Sequence, residues 1–213
     1  MDRHDPDFAP AHVLALAAAG GRIGLLGGSF NPAHGAHVHV SLVAMRRLKL
    51  DAVWWLVSPQ NPLKPVAGMA PIETRLAQAR AVARHPRILA SAPESGLGTR
   101  FTADTVDALQ TMFPRARFVW LMGGDSLAGF HRWRNWTRIA AALPLAVVAR
   151  PGFTTRALNS VAGRRLAAFR VRQPEHLFDG KLPAWVFLSE RLDPLSATAL
   201  RAAGHWPGAG GRK

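Results

Sequence analysis

The sequence predicts a doubly wound α/β domain, in which a mostly parallel sheet of about six strands carries helices on both faces. Short apolar runs alternate along the chain with helix-like stretches, and each run is bounded by Gly, Pro, Ser or Asp. This alternation implies right-handed βαβ connections. A chain of 213 residues with 48% hydrophobic residues is long and apolar enough for one domain with a buried core.

The predicted strands are rich in β-branched and aromatic residues, and the predicted helices lie between them. The strands are residues 22–26, 52–57, 87–91, 116–122, 145–149 and 184–188. The helices are residues 36–49, 72–84, 102–112, 135–141, 155–169 and 196–203. No internal repeat or linker divides the chain, so we expect a single domain over residues 21–204, a flexible lead-in over 1–20 and a flexible Gly-rich tail over 205–213.

Composition excludes several classes of protein. The chain has no cysteine, which rules out disulfides, thiolate metal sites and cysteine nucleophiles. It has no run of eighteen apolar residues, so no membrane partner is expected. Three aspartates precede the short apolar stretch at 13–19, unlike the basic start of a secretory leader. The expected location is the cytoplasm.

The net charge of +14 predicts an anionic partner. Nine arginines and no acidic residue lie between Ser126 and Pro174. Such a basic face suits nucleic acid, an anionic membrane surface or a phosphorylated small molecule, and it is also compatible with a merely solvated surface. Charge alone does not choose among these.

Chemistry is expected in the loops that follow the strands, because ligands of doubly wound sheets bind beyond the carboxyl ends of the strands. The first such loop runs from Gly27 to His37 and opens a helix. It matches neither the dinucleotide fingerprint nor a P-loop. Its glycines allow close backbone approach, and its two histidines, three residues apart at a helix start, can face one phosphate group.

Two other interpretations of these histidines stay open. His34, His37 and His39 could ligate zinc, although no cysteine exists and no acidic residue lies between Asp7 and Asp51. They could also be surface residues that cap a helix.

Two further loops carry cations or hydroxyls. The second strand is followed by a proline-stiffened loop that ends in Lys64, which can neutralise phosphate. After the last strand, Ser196 and Thr198 stand at a predicted helix start with Arg201 one turn on. The two hydroxyls could simply cap that helix.

Together these motifs resemble the nucleotidyltransferases that carry an H-x-G-H and an S-S-T-x-I-R signature. The resemblance rests on Gly28 to His37 near the start of the domain and on Ser196 to Arg201 at its end. Residues 59–64, 102–105 and 124–126, with Trp133 and Trp136, resemble the nicotinate-nucleotide adenylyltransferase branch. This chain departs from the pattern at Ala36, where the family has glycine, and at Ala197, where it has serine.

The resemblance implies a Rossmann-like fold and transfer of AMP from ATP to the 5′-phosphate of nicotinate mononucleotide, with Mg²⁺ accompanying ATP. It implies a catalytic role for His34, His37 and Lys64. ATP-binding residues would be Gly27, Gly28, Ser29, Phe30, His34, His37, Asp125, Ser196, Thr198 and Arg201. Mononucleotide-binding residues would be Asn31, Lys64, Thr102, Thr105 and Trp133.

Within those roles, His37 would lie closest to the α-phosphate, Asp125 beside the ribose and Trp133 against the pyridine ring. Structural alternatives exist: Trp133 and Trp136 could pack in the core, and Asp125 and the threonines could cap helices.

Rival functions differ in acceptor or in class. The acceptor could instead be nicotinamide mononucleotide or phosphopantetheine, or the enzyme could be a cytidylyltransferase. From another class, the +14 charge suggests a nucleic-acid-binding protein, but no recognisable nucleic-acid-binding motif is present, so no such partner is expected. The departures at Ala36 and Ala197 leave room for a non-catalytic descendant of the fold.

Overall fold

A computed structural model describes residues 10–59, 68–149 and 152–189. They form a six-stranded sheet of order β3-β2-β1-β4-β5-β6 in which every neighbouring pair is parallel. The strands are β1 Arg22–Gly28, β2 Ala52–Val57, β3 Ile88–Ser91, β4 Arg117–Gly123, β5 Leu145–Val148 and β6 Trp185–Leu188. The predicted fold class is confirmed, and each strand agrees with its prediction to within two residues at either end.

Helices cover both faces of the sheet. They are α1 Ala11–Ala18, α2 Gly35–Leu48, α3 Ile72–Val82, α4 Pro93–Leu97, α5 Thr102–Met112, α6 Gly124–Gly129, α7 Trp136–Ala142, α8 Thr154–Leu158 and α9 Val161–Arg165. Three short 3₁₀ turns add to them, at Phe130–Arg132, Ala167–Phe169 and Pro174–Phe178. No helix in the described part of the chain is long and apolar enough to cross a membrane.

The sheet separates two hydrophobic cores. One core joins a face of the sheet to α1, α5, α6, α7, α8 and α9, and the other joins the opposite face to α2 and α3. Both tryptophans of β2, Trp54 and Trp55, are fully buried, one on each face. Burial on both faces explains why the strands are nearly continuous apolar runs.

The lead-in predicted over residues 1–20 contains α1, which buries Val13 and Ala17 completely against the core. One prediction differs from the structure. The helix predicted over residues 155–169 is broken into α8, α9 and a 3₁₀ turn. The break arises because the Ser160 hydroxyl accepts a hydrogen bond from Gly163 N–H at 3.0 Å and so caps a new helix. The domain limits at 20/21 and 204/205 stay predictions, and residues 190–213 lie outside the described residues.

The chain order reverses between β1 and β4, which lie side by side although they are distant in sequence. Such a switch point opens a crevice at the carboxyl ends of the two strands, because the connections leave in opposite directions. The loop after β1 and helix α6 after β4 therefore border the place where a ligand is expected.

Candidate functional site

The loop after β1 presents two histidine rings to each other at the start of α2. His34 is the residue before the first helical turn, and His37 lies within that turn. Their ring centroids are 4.0 Å apart. The Nδ1 atom of His37 accepts a hydrogen bond from the His34 backbone N–H at 3.2 Å. In the neutral ring this bond fixes the proton on Nε2, so His37 is set as a donor from Nε2.

Buried aromatic rings pack against the His37 ring of this pair. The Phe30 ring is 2% exposed, stacks on Trp55 with centroids 5.1 Å apart, and lies 4.8 Å from the His37 ring. Phe30 also has a φ of +44°, a conformation that bulky residues rarely adopt. Because its side chain is buried, Phe30 can meet a nucleotide only through its backbone, which narrows its predicted role in ATP binding.

The two glycines that end β1, Gly27 and Gly28, differ in what an added side chain would contact. A Cβ on Gly27 would lie 2.5 Å from the Trp120 ring, so glycine is required there by the core and not by a ligand. A Cβ on Gly28 would meet the Phe30 ring at 3.5 Å, an ordinary contact, so packing does not require glycine there. Gly28 is therefore the better candidate for a glycine that serves close approach of a ligand to the backbone.

The side chain of Asn31 is used to build the loop. Its amide nitrogen donates to Gly68 O at 3.0 Å, and its carbonyl oxygen accepts from Ala70 N–H at 3.1 Å. The residue is 7% exposed. These bonds give Asn31 a structural role in the loop. Its predicted contact with the mononucleotide stays a prediction.

Trp133 lies on the β4 side of the switch point, partly exposed. Its ring meets Trp120 edge-on at 6.1 Å between centroids and Phe130 at 5.3 Å. Trp136 packs in the same way on Phe130, at 5.6 Å. Trp133 is therefore supported by core rings while the residue stays partly exposed, as a stacking platform requires.

The two threonines predicted to bind the mononucleotide, Thr102 and Thr105, have different surroundings. Thr102 is the first residue of α5, where the leading backbone N–H groups of a helix have no partner within the helix. Thr105 is 1% exposed, and its hydroxyl lies 2.8 Å from the Thr99 hydroxyl and 3.3 Å from Phe101 O. The Thr105 hydroxyl thus ties the start of α5 together, and the predicted contact of Thr105 with the mononucleotide stays a prediction.

Charged side chains connect α5 to α7 and to the turn before it, residues 133–135, which we call the Trp133 turn. The Arg134 guanidinium lies over the Phe101 ring, 4.4 Å from its centroid. Arg138 pairs with both Asp104 and Asp107. Part of the basic excess predicted to attract anions is thus engaged in contacts within the protein. These contacts could not be predicted from local spacing, because the partners lie in α5 or directly before it.

Two more acidic residues border the same edge. Asp125 lies in the first turn of α6, directly after β4, where it was predicted to meet the ribose. Glu94 lies in α4 after β3 and is 7% exposed, and burial raises its pKa to about 7. Its Oε2 atom has no hydrogen-bond partner among the described residues.

Sequence reasoning also missed Arg75, which is 1% exposed on α3 and bonds to the backbone of two loops at this edge. The signal was present: Arg75 stands in register with Leu76 and Ala79 on the buried stripe of the helix. Burial lowers the pKa of its guanidinium, and the nearby Glu73 carboxylate acts in the opposite direction.

Four predicted site residues, Lys64, Ser196, Thr198 and Arg201, lie outside the described residues. Within residues 10–59, 68–149 and 152–189, no group of three or more His, Asp or Glu side chains is arranged to hold a metal ion. The sheet order and the position of the histidine loop define the class of the protein, an α/β protein of the doubly wound type with a candidate anion site at the switch point.

Comparison with known proteins narrows this class. The model of the cytidylyltransferase-like family matches residues 25–203. A protein of Cereibacter sphaeroides called a probable nicotinate-nucleotide adenylyltransferase is 52% identical over 86% of this chain and 98% of its own. One of the same description from a Bradyrhizobium species is 54% identical over 84% of this chain and 95% of its own.

Solved structures share the fold. The nicotinic acid mononucleotide adenylyltransferase of Plasmodium falciparum, complexed with NaAD, matches with a TM-score of 0.64 at 15% identity, covering 85% of this chain and 83% of that one. Its complex with APC matches with a TM-score of 0.62. The chain belongs to the cytidylyltransferase-like family and, within it, to the nicotinate-nucleotide adenylyltransferases.

Proposed function

We infer that this protein transfers AMP from ATP to the 5′-phosphate of nicotinate mononucleotide, which gives nicotinate adenine dinucleotide and pyrophosphate on the route to NAD. The observation that carries the inference is the histidine pair at the start of α2, beside the switch point of the sheet. Relatives about 50% identical carry the name of this activity. The rival acceptors and the nucleic-acid-binding function have no comparable support.

The chemistry needs no general base, because the attacking phosphate oxygen is already ionised near neutral pH. It needs two polyanions aligned in one line and charge stabilised on the α-phosphate and the departing pyrophosphate. We propose that the protonated Nε2 of His37 donates to an α-phosphate oxygen and that His34 and the first N–H groups of α2 hold the triphosphate. No covalent enzyme intermediate forms.

The remaining contacts are proposed on the family motifs and on position. Gly28 and Ser29 bring the backbone close to the phosphates, and Asp125 faces the ribose. Lys64 neutralises charge between the substrates. The β- and γ-phosphates are held by Ser196, Thr198 and Arg201.

The acceptor half is proposed to bind at the Trp133 turn. The pyridine ring stacks on the partly exposed Trp133, and the N–H groups at Thr102 receive the nicotinate carboxylate. A carboxylate is favoured over an amide at this place because the helix start is positive and Arg134 lies beside it.

Mg²⁺ is proposed to enter with ATP. The described residues provide no acidic cage for it, which suits an ion that keeps its waters and is held chiefly by the phosphates. When bound, it neutralises charge on the departing pyrophosphate. The cysteine-free composition is compatible with a reducing compartment, and the cytoplasm stays our proposed location.

The test is pyrophosphate release by the purified protein with Mg·ATP and one acceptor at a time: nicotinate mononucleotide, nicotinamide mononucleotide or phosphopantetheine. The proposal requires the highest kcat/KM with nicotinate mononucleotide and a dinucleotide product in equal amount to pyrophosphate. A preference for another acceptor would move the substrate and keep the chemistry. No release with any acceptor would overturn the assignment.

A further inference from the structure

Arg75 is a fully buried arginine whose hydrogen bonds all go to backbone carbonyl groups. Its Nε donates to Ala70 O at 2.8 Å, its Nη1 to Ser29 O and Ser58 O at 2.7 Å each, and its Nη2 to Pro59 O at 2.8 Å. The side chain is 1% exposed. Four short bonds from one planar group fix its orientation completely.

These carbonyls belong to three separate segments at the carboxyl edge of the sheet. Ser29 follows β1, Ser58 and Pro59 follow β2, and Ala70 precedes α3. One guanidinium therefore fixes the start of the loop that leads to the two histidines relative to residues 58–59, which directly follow β2. A lysine could not do this, because a single ammonium group cannot reach carbonyls in so many directions.

Gln78 holds the other end of the histidine loop. Its Oε1 accepts from Ala33 N–H at 2.9 Å, and its Nε2 donates to Ala33 O at 3.0 Å. Residues three apart share one face of a helix, so Arg75 and Gln78 grip the loop at Ser29 and at Ala33. Ala33 directly precedes His34, the residue at the start of α2.

Within the described part of the chain, the charge on Arg75 has no partner of opposite sign in direct contact. Among the described residues no carboxylate forms an ion pair with it, and Glu73, two residues earlier on the helix, is exposed. Neutral carbonyls satisfy the donors of a guanidinium but do not cancel its charge. A polyanion bound at the loop would compensate this charge.

We propose that Arg75 and Gln78 are positioning residues for the phosphate-binding loop: they hold residues 29–33 so that His34 and His37 face the triphosphate, and the buried charge of Arg75 favours the anion there. The proposal rests on the proposed function, because it assigns the phosphates of ATP to this loop. Neither residue touches the substrate.

The experiment compares Arg75→Lys, Arg75→Met and Gln78→Met with a matched control, Arg80→Lys. Arg80 is an exposed arginine on the same helix that donates to Ala90 O at 3.2 Å, away from the loop. For each variant we would measure the thermal midpoint, kcat, the KM for ATP and for the mononucleotide, and the Kd of inorganic pyrophosphate by calorimetry.

The expected result is a loss of about tenfold or more in kcat/KM for ATP in both Arg75 variants, larger in Arg75→Met than in Arg75→Lys. Pyrophosphate should bind more weakly in the same order. Gln78→Met should lower kcat several-fold with a smaller change in pyrophosphate Kd, because it displaces the loop without removing a charge. Arg80→Lys should keep wild-type kinetics.

Folded Arg75 and Gln78 variants with a lower thermal midpoint but unchanged kinetics and unchanged pyrophosphate Kd would overturn the proposal, since both residues would then serve stability alone. If neither Arg75 variant folds, Gln78→Met decides by the same criteria. A wild-type protein that binds pyrophosphate in an Arg75-dependent way but shows no transfer to the mononucleotide would contradict the proposed reaction and leave the loop assignment standing.

Discussion

The two sides of the switch point are built by different interactions. On the β1 side, the histidine loop is held by directed hydrogen bonds to its backbone, from Arg75 and Gln78. On the β4 side, the Trp133 turn is held by ring-to-ring contacts and by the stacking of Arg134 on Phe101. Phosphate transfer tolerates little misplacement, whereas an aromatic ring tolerates sliding over a flat platform. The construction of each side thus matches the part of the substrate proposed for it.

We expect the largest loss of activity from a substitution on the β1 side. Removing the His37 ring in His37→Ala deletes the Nε2 donor and should lower kcat by about 10²–10³-fold, the usual effect of losing one donor to a developing negative charge. Steady-state kinetics with saturating mononucleotide measure this effect. The far-ultraviolet circular dichroism should match wild type, and a kcat within threefold of wild type would remove His37 from the reaction.

The next largest effect is expected on the free energy of unfolding, from the buried carboxyl group of Glu94. The pKa of Glu94 is raised to about 7 by burial, against 4.5 ordinarily, so the folded state binds the proton more tightly than the unfolded state. Stability from this group is therefore complete below about pH 4.5 and is lost as pH rises through 7. Relative to wild type, Glu94→Gln should gain up to about 3 kcal/mol in unfolding free energy between pH 4.5 and 8. Urea unfolding at both pH values checks this, and parallel pH dependences in the two proteins would contradict it.

On the β4 side, Trp133→Ala should act mainly on binding of the acceptor. Loss of one stacked ring is worth roughly tenfold in affinity, so the KM for nicotinate mononucleotide should rise about tenfold while the KM for ATP changes little. Trp136→Phe is the matched control, because Trp136 packs on the same Phe130 ring. Equal increases in both KM values for Trp133→Ala would mean that the ring only supports the core.

The smallest effect is expected at Arg134. Its stacking on Phe101 links the Trp133 turn to α5, and an exposed contact of this kind contributes about 0.5–1 kcal/mol. Arg134→Ala should therefore raise the KM for the mononucleotide about two- to fivefold. Arg156→Ala removes a comparable contact with Phe153, at 5.8 Å, as a control that should leave KM unchanged. Identical behaviour of the two variants would show that this link has no part in binding.

The sequence was most informative where one residue type serves one physical need. The buried strands of a parallel sheet must be apolar on both sides, so the six strands could be predicted nearly to the residue. Gly28 and the two histidines could be predicted because glycine at a strand end and imidazole at a helix start are unusual together. The break at Ser160 was missed because a serine inside a helical pattern is commonly tolerated.

The interactions that hold the site could not be predicted in the same way. The partners of Arg75 and Gln78 are backbone groups, which every residue carries, so no sequence pattern marks them. Thr105 looked like a ligand contact from its neighbourhood, and only its burial and its bond to Thr99 reveal the internal role. Long-range contacts between loops are set by the sheet topology and not by local spacing.

A crystal structure of the protein bound to nicotinate adenine dinucleotide would test the division between the two sides most directly, because that product spans both. We expect the pyridine ring against Trp133, the nicotinate carboxylate at the start of α5 by Thr102, and the bridging phosphates within hydrogen-bond distance of His37 Nε2. A dinucleotide bound in the reverse orientation, or away from the β1–β4 crevice, would contradict this expectation.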